Sequence, residues 1–296
     1  MVQHKYLASL DQGTSSTRFI VFTACGEIVA KHQISLAQRT AKHGWVSHSA
    51  TEMFSAANEC IEKTVSALKS GGLWSQGCIS TIGITNQRET SVAWHRATGD
   101  PLCEAIVWLD KRTDALVAEM VAKATHADAF KKICGLPICS YFSAVKYCWM
   151  LRNVASVAEA AKDSNLMFGT VDSWLLYKLT GGVNGGVYKT DVTNASRTML
   201  MDIKSVQWDQ SMCTFFGIDA RCLPEIASSS EIYGCIAEGS LKGVTISGII
   251  GDQHAALVGQ LCLKKGDLKN TYGTGCFMVL ISLTLVVQYW RNTFIF

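Results

Sequence analysis

Residues 11–18 read Asp-Gln-Gly-Thr-Ser-Ser-Thr-Arg and lie between two short apolar runs, residues 6–10 and 19–22. A carboxylate, a permissive glycine, four hydroxyls and a guanidinium share this one turn. Gly13 allows the backbone to approach a ligand closely, and successive amides and hydroxyls in a turn can cradle a phosphate. Arg18 adds a planar, always-charged donor, and Asp11 is suited to a hydrated magnesium ion. A P-loop would need Gly-x4-Gly-Lys-Ser/Thr opening a helix. Here the lysine is missing, and a turn at residues 24–27 leads to a third strand near 28–34. Two readings stand at this level: a phosphate-binding β-hairpin, or an ordinary Gly/Ser-rich surface turn.

Outward from the octet, the periodicity predicts a helix over 52–68, capped by Thr51 and stopped by Gly71 and Gly72. Its apolar face is Met53, Ala57, Cys60, Ile61, Val65 and Leu68. Strands at 79–84 and 91–95 flank a polar segment, 85–90, and another strand is predicted at 105–109. Helices follow near 111–124, 142–151 and 171–179, then a buried strand at 245–250 and a helix around 254–261. A strand meander followed by strand–helix units argues an α/β domain with helices covering the sheet.

The chain has 296 residues, enough for one large or two ordinary domains, and is 48% hydrophobic and 17% charged. A net charge of +3, evenly spread, argues against a nucleic-acid partner or a membrane-surface footprint. None of the 12 cysteines forms a Cys-x2-Cys pair; they fall singly in apolar segments, as at Cys60, Cys148 and Cys262. That pattern reads as small buried hydrophobes in a reducing compartment, without a zinc site. No secretory signal opens the chain, and a cytoplasmic location is expected.

Four further segments carry chemistry. Residues 83–90 read Gly-Ile-Thr-Asn-Gln-Arg-Glu-Thr. Arg88 and Glu89 would point to opposite faces of a regular strand, so both reach one ligand only if the backbone is irregular there. An adjacent donor and acceptor suit a small polyol; the alternative is a surface ion-pair set. Asp252 opens a helix after a buried strand, as an N-cap or as a base that takes a hydroxyl proton, its pKa held low by the helix N-terminus. Residues 269–277, Lys-Asn-Thr-Tyr-Gly-Thr-Gly-Cys-Phe, repeat the hairpin logic of the octet and suggest a two-lobed nucleotide clamp. Residues 190–200, rich in small polar groups with one arginine, read as structural support.

Together these segments, with 44–46, 105–110 and 169–179, resemble the glycerol kinase branch of the FGGY carbohydrate kinases, in the actin-like ATPase superfamily. The resemblance runs from about Lys5 to Phe277. It implies a ribonuclease H-like, actin-like ATPase N-terminal domain with a mixed sheet and flanking helices, plus only the first strands of a second similar domain. The implied division is a glycerol-binding, phosphate-hairpin domain over 1–260, then over 261–296 a truncated nucleotide-binding domain ending in a divergent apolar tail. By the same resemblance Arg88, Glu89, Tyr141, Asp252 and Gln253 would bind glycerol, with Asp252 as catalytic base and Trp108 and Phe277 as aromatic walls. Thr14, Ser15, Ser16, Arg18 and Thr274 would contact ATP phosphates, and Asp11 would sit near Mg2+.

The implied reaction is ATP-dependent phosphorylation of glycerol to glycerol 3-phosphate, resting on positioning and charge neutralisation. Two alternatives remain open: an impaired form that acts by binding because the second lobe is missing, and another FGGY kinase, for xylulose or gluconate. Self-association or pairing with a full-length relative is expected of the face the second lobe would cover. His254, beside the Asp-Gln pair, departs from the family pattern and would alter local charge; the segment at 237–243 is a shortened loop. The apolar stretch 277–287 is too short for the roughly 20 residues of a membrane helix and reads as a strand or as unrelated sequence. Membrane contact is a minor expectation, as peripheral attachment to the mitochondrial outer membrane.

Overall fold

The computed structural model describes residues 5–273 and 275–282. Along Tyr6–Gln12 the residues Tyr6, Ala8, Leu10 and Gln12 are buried and the intervening ones are not, the period of two that a strand covered on one face requires. This strand pairs antiparallel with Ser16–Phe22, setting Asp11 opposite Arg18, and Ser16–Phe22 pairs in turn with Ile28–Ser35. The opening meander is therefore present as expected. On its other side Tyr6–Gln12 runs parallel to Ile79–Asn86, which runs parallel to Thr245–Gly251, and the short strand Gly234–Cys235 closes that edge.

The sheet is mixed, and its three parallel members end in register. Asn86 lies opposite Gln12 on one neighbour and Gly251 on the other. Ligand sites of open α/β sheets form beyond the carboxyl ends of parallel strands, and here the segments that follow those ends are the turn at 13–16, the segment 87–90 and the residues from Asp252 onward.

The helix Ala50–Ser70 covers one face of this sheet, and the six apolar residues expected to face the core are all buried. It begins earlier than expected, because Ser49 and not Thr51 is the cap: the Ser49 hydroxyl accepts the Glu52 amide at 3.2 Å. Val171–Leu179 ends where expected, and Asp114–Ala124 and Ser143–Asn153 are offset from expectation by three residues or fewer at each end. The strand expected over 105–109 is only Ala105–Ile106, since the chain turns at once, the Asp110 amide donating to the Val107 carbonyl at 3.0 Å. The helix expected around 254–261 is Asp252–Gly259.

A second, four-stranded sheet joins Ser47–His48, Ala105–Ile106, Ser91–His95 and Leu166–Thr170. Helices including Asp114–Ala124, Ser143–Asn153, Ala155–Lys162 and Gln210–Phe216 pack a second apolar core against it. Leu268–Tyr272 and Cys276–Leu280 form the expected second hairpin. Thr274 and the tail beyond residue 282 lie outside the described residues. Among the described residues no helix is long and apolar enough to cross a membrane.

Gly169 shows how tightly the first core closes. A Cβ there would stand 2.7 Å from Ser173 Cβ and 2.9 Å from Trp94 Cη2. Both neighbours are fully buried. Gly169→Ala is expected to destabilise the fold by about 1–3 kcal/mol through overpacking, measured as a lower midpoint in urea denaturation.

Candidate active site

A cavity of about 290 Å³ opens at the carboxyl ends of the three parallel strands. Asp11, Thr14, Ser15, Ser16, Arg18, Arg88, Glu89, Trp108, Tyr141, Asp252, Gln253 and Phe277 all line it. Every site residue expected from sequence is thus gathered there, apart from Thr274, which falls outside the described residues.

Local backbone explains how Arg88 and Glu89 share one cavity. Once Ile79–Asn86 ends, the Gln87 amide donates to the Gln12 carbonyl at 2.9 Å, and the Thr90 amide folds back onto the Arg88 carbonyl at 2.7 Å. Glu89 adopts φ of 60°, a left-handed conformation that breaks the alternation of a strand. Such a conformation costs on the order of 1–3 kcal/mol and persists only where the surroundings hold it. Here they do: Glu89 Oε1 accepts from Arg197 Nε at 2.5 Å, with both side chains buried. Arg88 is equally buried, and its Nε lies 3.6 Å from Asp252 Oδ1. Gly251 lets the Arg88 stem lie flat, since a Cβ there would meet Arg88 Cδ at 2.5 Å.

Asp252 is the first residue of its helix, and the cap position belongs to Gly251. The expectation of a depressed pKa is overturned: burial pushes the Asp252 carboxyl up to about 6, against the opposing pull of the Arg88 guanidinium. Removal from water outweighs both the cation and the helix end. His254, expected to alter local charge, is held well below the ordinary histidine range by burial and by the cations of Arg88, Arg197 and Lys269. It is a neutral imidazole near pH 7.

The aromatic wall is continuous. The Trp108 ring centroid lies 5.7 Å from that of Tyr141 and 5.6 Å from that of Phe277, both inclined steeply. Burial raises the Tyr141 hydroxyl above its ordinary pKa, so it remains a hydrogen-bond donor. Trp108 Nε1 donates to Thr14 Oγ1 at 2.9 Å and so ties this wall to the hydroxyl-rich turn. On that turn Asp11 pairs with Arg18 at 3.2 Å, and burial raises the Asp11 carboxyl while Arg18 opposes the rise.

Several lining or supporting residues escaped the sequence reading. Arg197 pairs with a carboxylate 108 positions away, which no local pattern reveals. Lys269 Nζ and Thr271 Oγ1 both donate to Gln253 Oε1, at 3.1 and 2.9 Å, joining the second hairpin to the helix of Asp252. Buried Lys146 donates to the carbonyls of Ser140 at 2.7 Å and Tyr141 at 2.5 Å and steadies the segment that carries the Tyr141 ring. Its one sequence signal was a lysine on the inner side of an apolar helix.

This fold and cavity define a sugar-kinase-type domain. Residues 6–259 match the N-terminal domain of the FGGY family of carbohydrate kinases, and the chain belongs to that family. The glycerol kinase of Brucella anthropi is 50% identical over 276 residues, covering 93% of this chain and 54% of that protein. That of Arabidopsis thaliana is 44% identical over 280 residues, 94% of this chain and 53% of the relative. The crystal structure of Plasmodium falciparum glycerol kinase with ADP superposes with a TM-score of 0.86 at 36% identity, over 93% of this chain and 54% of that one. Xylulose kinase from Lactobacillus acidophilus reaches a TM-score of 0.79 at 20% identity, over 93% of this chain and 54% of that one, a likeness of fold alone. The chain spans about half the length of the curated relatives it matches.

The raised carboxyl of Asp252 has a consequence for stability. With a folded pKa of about 6 against an ordinary 3.8, the unfolded chain ionises first as pH rises, and stability falls between those values. Below about pH 4 both states are protonated and nothing is lost; above pH 6 the whole penalty is present. Asp252→Asn should therefore unfold later than the parent at pH 7–8, by on the order of 1 kcal/mol after solvent screening. The advantage should vanish below pH 4 in parallel denaturation curves.

Proposed function

We propose that the cavity is the polyol and phosphate half of a glycerol kinase site, with glycerol as phosphoryl acceptor and ATP as donor. The observation that carries this reading is the convergence of Arg88, Glu89 and Asp252 with a three-ring aromatic wall, beside the hydroxyl turn, in one small cavity. Carboxylates accept from hydroxyls and a guanidinium donates to them, while apolar rings cover a carbon chain. The relatives at 44–50% identity are glycerol kinases, whereas xylulose and gluconate kinases share the fold at 18–23% identity.

In this reading Arg88 and Glu89 hold the polyol hydroxyls, and the Glu89 carboxylate keeps its aim through Arg197. Asp252 accepts the proton of the terminal hydroxyl as that oxygen becomes nucleophilic. The residues at the turn fit a nucleotide and its ion: Thr14, Ser15, Ser16 and Arg18 offer donors where they line the cavity. Asp11 offers a hard oxygen ligand of the kind magnesium takes alongside waters and phosphates. ATP would supply the γ-phosphoryl group and Mg2+ would offset the charge gathering on it.

Calorimetric titration with glycerol should show saturable binding that Arg88→Ala and Glu89→Gln each weaken tenfold or more, the loss of a charge-assisted hydrogen bond. A coupled ADP assay should show Asp252→Ala lowering turnover by about 10²–10⁴-fold. Parent turnover should climb with pH through about 6 as Asp252 ionises. Glycerol binding with equal inactivity of parent and Asp252→Ala would leave binding without phosphoryl transfer as the function; absence of glycerol binding would overturn the reading.

A further inference from the structure

Residues 190–200, read from sequence as support, contain a device of a particular kind. We propose that Asp191 is the positioning residue of the polyol site, acting through Thr193 on Asp252 and through Asn194 on Arg88 and Glu89. The proposal rests on the function proposed above.

Asp191 is fully buried and caps the one-turn helix Val192–Ala195. A cap needs only one or two amides. This carboxylate takes five donors: Oδ1 accepts from Asn194 N at 3.0 Å and Asn194 Nδ2 at 2.7 Å. Oδ2 accepts from Thr193 N at 3.0 Å, Thr193 Oγ1 at 2.7 Å and Ser229 Oγ at 2.7 Å. Every partner donates, which suits a carboxylate and no neutral side chain. The neighbouring Asp172, which accepts from the Thr170 and Thr190 hydroxyls, is pushed up to about 7 by burial and by the Asp191 charge.

Two arms then leave the hub. Because the Thr193 hydroxyl spends its proton on Asp191, its lone pairs face outward, and the Gly251 amide donates to it at 2.7 Å. Gly251 is the residue on which the Arg88 stem lies and from which Asp252 springs. Because Asn194 Nδ2 faces Asp191, its amide is polarised one way round and pairs reciprocally with Asn86, at 2.9 and 3.1 Å. Asn86 ends the central strand and holds the Gln87 carbonyl at 2.8 Å, one residue before Arg88. One buried charge thus governs both backbone segments whose side chains must meet across 3.6 Å at Arg88 and Asp252. A misplacement of an ångström at such a pair is enough to cost orders of magnitude in a positioned reaction.

Thr193→Val keeps shape and removes the outward acceptor; Thr193→Ser keeps it. Glycerol binding by calorimetry should weaken about tenfold in Thr193→Val, the range set by one lost buried hydrogen bond, and return to the parent value in Thr193→Ser. Asp191→Asn should match or exceed the valine variant; should it fail to fold, the threonine pair alone decides. NMR titration of the Asp252 carboxyl supplies a readout independent of ligand: its midpoint should move in Thr193→Val and stay in place in Thr193→Ser. Parent-like binding and an unmoved Asp252 titration in Thr193→Val would overturn the positioning role. A parent chain that binds no glycerol, with the Asp252 midpoint still moved by the valine, would sink the functional reading and leave the coupling standing.

Discussion

Arg88, Glu89 and Arg197 are held almost wholly out of water, with Asp252 at their open side. Moving an ion into a protein interior costs several kcal/mol after relaxation, and a buried pair recovers this only with good geometry and further hydrogen bonds. The rest of the structure can be read as the answer to that demand. The strand ends are kept in register so that the charges meet, and the Glu89 backbone is bent into a left-handed conformation so that two consecutive side chains face one way. Two apolar cores lie on opposite faces of the four-stranded sheet, the first of them shared with the six-stranded sheet. Removing Arg197 or Glu89 would leave the other charged without this counterion, a larger loss than that pair's own net worth.

How much of this the sequence reveals depends on the range of the forces. The first hairpin was legible because period-two burial and a glycine turn are local, and the helix Ala50–Ser70 because its apolar stripe is. Ser49 and Thr51 are both hydroxyl residues at its start, and choosing between them needs the backbone angle at the cap. Leu166–Thr170 escaped because a strand buried on both faces has no alternation to read. Arg88 and Glu89 declared themselves by being adjacent charges in a polar run between strands. Arg197 and Asp191 did not, because their partners come from other elements. The pKa of Asp252 was misjudged in sign because the helix end is visible in sequence and the depth of burial is not.

The cavity also joins what sequence reading treated as separate parts. The turn at residues 13–16 and the aromatic wall share the Trp108–Thr14 hydrogen bond. Gln253, next to Asp252, is held by two donors from the hairpin Leu268–Tyr272. Contacts of this sort make the site one unit in which each segment limits the freedom of the next.

The Trp108–Thr14 bond carries one more implication. An indole N–H can only donate, so the Thr14 oxygen must receive it and turn its own proton elsewhere. One of the three staggered positions of that hydroxyl hydrogen is thereby closed, and this part of its orientational entropy is spent during folding and not on arrival of a guest. A hydroxyl with one lone pair already occupied has its proton and a single lone pair left to offer, which tilts it toward acceptors before any net charge is felt. The aromatic wall, which at first sight only shelters carbon, thereby biases the neighbouring turn toward partners that accept hydrogen bonds.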